Sequence, residues 1–62
     1  MNLNKGDRVI YTGHSNGGQY QSEGVVFDMK VLTTGETMYY LKNERDGADD
    51  SAREEDIIQI LP

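Results

Sequence analysis

The stretch Gly24-Val25-Val26-Phe27-Asp28-Met29-Lys30-Val31-Leu32-Thr33-Thr34-Gly35-Glu36-Thr37-Met38-Tyr39-Tyr40-Leu41-Lys42-Asn43 reads as strand, tight turn and strand, and it makes the chain all-β. β-Branched and aromatic residues crowd both arms. In the second arm, Thr37–Asn43, alternation sends Tyr39 and Leu41 inward and Tyr40 and Lys42 outward. The first arm runs from about Ser22 to Leu32, and there alternation breaks, because Val25, Val26 and Phe27 are all apolar. Such a run means burial on both faces or a bulge that bends the strand, and in a small barrel, whose strands must curl to close, the bulge is the favoured reading. Thr33-Thr34-Gly35-Glu36 supplies the turn.

On the N-terminal side, Lys5-Gly6-Asp7 opens a strand, Arg8-Val9-Ile10-Tyr11-Thr12, with Val9 and Tyr11 on one face. Gly13 is expected to end it. His14–Gln19 reads as a polar loop around the turn signal Asn16-Gly17. On the C-terminal side, Asn43–Asp50 is a charged loop containing Asp46-Gly47, a hairpin-type signal. A short fourth strand either lies there or is lost in the loop. Ser51-Ala52-Arg53-Glu54 fits a capping box, and Glu54, Glu55 and Asp56 suit the positive end of a helix dipole. The stretch is too short for more than one helical turn. Ile57-Ile58-Gln59-Ile60-Leu61 is the closing strand, expected to pair with the first strand and bury its isoleucines, so that Val9, Leu41 and Ile58 share an interior. The expected fold is a single domain over 1–62, a small five-stranded antiparallel β-barrel with one helical turn before the last strand.

Lys5-Gly6-Asp7-Arg8-Val9-x-Tyr11, Gly13, a glycine-rich loop and Glu23-Gly24-x-Val26 resemble the opening of a KOW motif. Aromatics followed by an acidic glycine loop and Glu55-Asp56-Ile57 are similar to the end of Tudor-like and other small Src-homology-3-like barrels. The resemblance implies a Src-homology-3-like barrel. It specifies a fold better than an activity. KOW modules that meet RNA or the transcription machinery often carry basic loops, whereas His14–Gln21 holds no lysine or arginine. Tudor-like domains suggest an aromatic cage for methylated lysine or arginine, for which Tyr11, Tyr20, Phe27, Tyr39 and Tyr40 are the available rings. Packing is the favoured role for most of these rings.

A chain of 62 residues buries only about 60% of its unfolded surface on folding. With no cysteine and one histidine, neither a disulfide nor a zinc site reinforces the core. No targeting segment or apolar run of membrane-spanning length appears, so a cytoplasmic protein without a membrane partner is expected. Lys5, Arg8 and Lys30 cancel Asp7, Glu23 and Asp28 in the first half. The net charge of −5 therefore resides after residue 30. Acidic balance argues against nucleic acid as a partner and for solubility or a basic partner.

Chemistry has little to work with. His14 beside Ser15 does not make a catalytic pair, since neighbours in sequence point apart and such sets are defined by geometry. Asp46-Gly47-Ala48-Asp49-Asp50-Ser51 lacks the spacing of a calcium loop, and no phosphate-cradling glycine motif occurs. No enzymatic activity, cofactor or metal is expected.

The leading functional expectation is a non-catalytic acidic module that binds a basic surface on a protein partner and alters its activity. The residues expected to carry it are Tyr20, Tyr40, Glu44, Asp46, Asp49, Asp50, Glu54 and Glu55. Free-standing proteins of this size and sign resemble small phage or prophage accessory proteins, some of which inhibit host or defence proteins. The alternative is a KOW-like accessory of the nucleic-acid machinery of transcription or translation, using Lys5, Arg8, His14 and Lys30. A third expectation is a homo-oligomer formed through an open edge at the charged loop.

Overall fold

In the structure, a computed structural model that describes residues 3–15 and 18–62, Val26 pairs with Leu41 and Asp28 with Tyr40, leaving Phe27 over between them. This is the expected bulge. The extra residue lets both Val26 and Met29 face inward although three positions separate them. It also turns Phe27 outward, where it is 45% exposed.

The architecture is all-β. Strands β1 (Arg8–Ser15), β2 (Gly18–Val31), β3 (Thr37–Asn43), β4 (Asp49–Arg53) and β5 (Ile57–Ile60) form one antiparallel sheet, with a 3₁₀ turn at Glu54–Asp56 before β5. Their order is β4-β3-β2-β1-β5. The β3 span agrees with its sequence pattern, and Gly35 takes the positive φ of 90° that its tight turn requires.

Gly13 does not end β1. It pairs with Tyr20 across the β1–β2 ladder, and an added Cβ would lie 2.3 Å from Tyr20 Cζ. The missing side chain makes room for that ring, so β1 continues to Ser15 and β2 begins at Gly18, ahead of the expected Ser22. Ser15 pairs with Gly18; the Asn16-Gly17 turn signal between them lies outside the described residues. The fourth strand, left open by the sequence, forms at Asp49–Arg53.

The expected capping box is displaced. Ser51 and Ala52 are held in the ladder opposite Tyr40 and Tyr39, because strand pairing secures their backbone groups better than a single helical turn. The 3₁₀ turn starts after Arg53, whose N–H donates to Asp56 Oδ2 at 3.2 Å.

Leu3, Val9, Tyr11, Val26, Tyr39, Leu41, Ala52 and Ile57 make the buried core, with Met29 packed against it. Ile57, not Ile58, joins Val9 and Leu41. The β1–β5 register shifts, with Ile10 opposite Gln59 but Tyr11 opposite Ile57. Ile58 is thus the surplus residue and lies 48% exposed, while Ile60 is 41% exposed. Only the first of the three isoleucines is buried. The N-terminal segment completes the packing: Gly6 N–H donates to Val26 O at 2.7 Å, and Val26 N–H donates to Asp7 O at 2.9 Å. β5 covers the edge of β1 as expected, and the described ladders leave β4 and β5 as the two outer strands.

Candidate functional site

The turn from β3 to β4 is organised by a buried side chain. Asn43 is 1% exposed. Its Oδ1 accepts from Ser22 Oγ at 2.9 Å and from the N–H of Arg45 at 2.8 Å. The second bond is the local closure that asparagine makes at the start of a turn. Backbone bonds from Asn43 N to Ala48 O and from Gly47 N to Asn43 O, each 2.8 Å, fix the rest. Gly47 supplies the positive φ, 73°.

This turn delivers Asp50 to the inner face, where three donors converge on one oxygen. Asp50 Oδ2 accepts from Tyr11 Oη at 2.5 Å, from Tyr20 Oη at 3.0 Å and from Asn43 Nδ2 at 3.2 Å. The Arg45 guanidinium lies 5.4 Å from the centre of the Tyr20 ring. Burial, then the bond to Asp50, pushes the Tyr11 hydroxyl well above its ordinary range, and the same two causes raise Tyr20. Burial pushes the Asp50 carboxyl up, but its three donors outweigh burial and hold it below its usual value. The cluster ties β1 and β2 to β4, which curls the sheet.

The residues expected to form one partner-binding patch are divided. Tyr20 and Asp50 belong to the inner-face cluster. Tyr40 is on the outer face, its ring centroid 6.4 Å from that of Phe27. Asp49 is also on the outer face, ion-paired with Lys42, whose ammonium stands 5.7 Å from the Phe27 centroid. Glu44 is occupied by Arg8, and the hydrogen bond from that guanidinium draws its carboxyl below the ordinary range. Asp46 Oδ1 accepts from Ala48 N–H at 3.0 Å within its own turn. Glu54 and Glu55 are exposed on the 3₁₀ turn, where with Glu36, Thr37 and Arg53 they line a cleft of about 360 Å³.

The rings do not gather into one cage. Tyr11 and Tyr39 are core, Tyr20 rests over Gly13, and Phe27 and Tyr40 pair outside. The basic candidates are mostly engaged: Lys5 Nζ lies 3.7 Å from Asp28, Arg8 Nη2 2.9 Å from Glu23, and His14 Nε2 3.2 Å from Asp56. Among the described residues, Lys30 stands without an ion pair. Among the described residues, no group of three or more His, Asp and Glu side chains is arranged to hold a metal ion, and no helix of theirs is long and apolar enough to cross a membrane.

Sequence reasoning missed Asn43 and the inward role of Asp50. The available signal was Asn43 itself, an asparagine ending a strand just before a charged glycine turn. No protein-family model, no curated protein and no solved structure matches the chain.

Proposed function

We propose that this protein is a non-catalytic interaction module, a Src-homology-3-like barrel of the KOW and Tudor-like kind, that binds a basic surface on a protein partner and alters its activity by occupying it. The observation that carries this reading is the state of Arg8. Its Nε and Nη2 reach Glu44 at 3.1 and 3.2 Å, and Nη2 also reaches Glu23 at 2.9 Å. Arginine is the residue best shaped to grip phosphate, and here its fork is already filled by carboxylates. With Lys5 and His14 also beside carboxylates, the cations available to a nucleic acid dwindle while the chain keeps its net charge of −5.

Asp46 and Glu55 are better probes of this reading than Asp50, whose carboxylate secures the fold. A basic partner captured by the wild-type protein should be released by Asp46→Lys combined with Glu55→Lys, with unchanged circular dichroism. Binding of single-stranded RNA or DNA oligonucleotides at near-physiological salt, weakening steeply as salt rises, would instead establish the nucleic-acid alternative.

A further inference from the structure

The two outer strands are defended unequally. β4 carries Asp49, Asp50 and Arg53 within five residues, and edge charges deter pairing with another strand. β5 reads Ile57-Ile58-Gln59-Ile60; its four residues and its bulge shorten the edge it offers to the part at Ile60, but it carries no charge there. Ile58 and Ile60 are 48% and 41% exposed along it. The inner edge of β5 is taken by β1: Gln59 pairs with Ile10, and Leu61 N–H donates to Arg8 O at 2.8 Å. Backbone groups alternate sides along an extended strand, so the N–H and C=O of Ile60 turn away from β1 toward the open edge. Directly before β5 stand Glu54, Glu55 and Asp56.

We propose that the outer edge of β5 accepts an extended segment of a partner protein as a sixth, antiparallel strand. Ile60 lies opposite Val9 on the inner face and the surplus Ile58 on the outer face, so the segment carries adjacent apolar side chains, one for each face, and lysine or arginine at its C-terminal end. Antiparallel pairing brings that end beside the acidic turn at Glu54–Asp56, so charge complementarity fixes direction while main-chain bonds supply affinity. A second copy of this chain fits less well. Each copy carries −5, and residues 57–60 offer no cation to meet the other's acidic turn. The proposal rests on the interaction-module reading and adds to it the mode of docking.

The test uses the full chain labelled with ¹⁵N and a synthetic peptide, acetyl-Thr-Val-Val-Val-Thr-Lys-Lys, whose adjacent valines present an apolar group to each face. Titration should shift amide resonances of residues 57–61 and slow exchange of the Ile60 amide by at least about tenfold. The same peptide N-methylated at alternate residues should do neither. Ile60→Pro removes the outward donor while leaving the bonds of Gln59 and Leu61 to β1, and proline is tolerated on such an edge. It should abolish the response with the fold intact, and Ile58→Ser should weaken it if the proline variant fails to fold. An absent response, an equal response to the methylated peptide, shifts centred on β4, or self-association on sedimentation would each overturn the proposal. If a basic protein partner binds Ile58→Ser as well as wild type but is lost on Glu55→Lys, the interaction reading stands and the β5 edge does not.

Discussion

Tyr11 on β1 donates its hydroxyl to Asp50 on β4 at 2.5 Å, although β2 and β3 separate those strands in the sheet. The bond therefore spans the curl rather than a neighbouring ladder, and its oxygen, Asp50 Oδ2, serves Tyr20 and Asn43 as well. Tyr11→Phe removes one donor and should cost about 2 kcal/mol, since the bond engages a charged acceptor in a buried setting. Asp50→Ala, which strands the Tyr11 hydroxyl and the Asn43 amide, should cost more, about 3 kcal/mol. Asp50→Asn should fall below both, because a single amide oxygen can take all three bonds, though as a weaker, neutral acceptor. Urea midpoints at constant slope measure the order. If Asp50→Asn proves the most damaging of the three, the single-oxygen geometry is not what stabilises the cluster.

The same cluster predicts how stability follows pH. Burial and the bond to Asp50 hold Tyr11 above its ordinary value of 10.0 when folded. Its contribution is therefore complete below that pH and is lost as pH rises toward the folded value. Asp50 is held below its ordinary 3.8 by donors that outweigh burial, so its contribution is present above that pH and lost as pH falls through the folded value. Stability should decline on both flanks, with Tyr11→Phe flattening the alkaline limb and Asp50→Asn the acid limb. Chemical denaturation across pH, run on both variants, reads the two limbs separately.

Two glycines should respond differently to alanine. At Gly24 the new Cβ would meet Lys42 O and Tyr11 Cε1, each at 2.9 Å. One of these is backbone in a paired strand, so Gly24→Ala should destabilise by about 2 kcal/mol. At Gly13 the obstacle is the Tyr20 ring, which can swing aside at the expense of its bond to Asp50. Gly13→Ala should therefore destabilise in the presence of Tyr20 and become close to neutral in a Tyr20→Ala background. A double-mutant cycle measures that coupling, and additive effects would count against the ring–glycine contact.

The β1–β5 register makes adjacent isoleucines unequal. Ile57 is 7% exposed and Ile58 48%. Ile57→Ala should cost about 2–4 kcal/mol as a core truncation, and Ile58→Ala about 0.5 kcal/mol or less. Thermal or urea denaturation of the two variants distinguishes them, and a reversed order would place the wrong isoleucine inside.

Most of the sheet was legible because alternation needs no partner to be read: Val9 with Tyr11, and Tyr39 with Leu41, announce their faces from sequence. The run Val25-Val26-Phe27 even betrayed its bulge by interrupting the alternation. Ile57 and Ile58 could not be ordered the same way, since which one faces inward depends on a shift in pairing with β1. Gly13 misled for a related reason: a glycine that breaks a strand and one that clears space for a cross-strand ring look alike until the ring is placed. The candidate site was the least legible part. Glu44, Asp49 and Asp50 follow closely in sequence, yet Arg8, Lys42 and the two tyrosines draw them to different sides. Proximity along the chain says nothing of such long-range matches.

Phe27 also sets where the chain can tolerate a change of length. It has no opposite number on β3, while residues on either side of it do. Excising it would join two properly paired segments and leave every later side chain on its present side. Removing Val26 instead would draw Phe27 into the inward place opposite Leu41, and removing Met29 would put Lys30 opposite Tyr39 and exchange the faces of the residues beyond it. At Phe27, β2 can be shortened without carrying any other side chain to the opposite face.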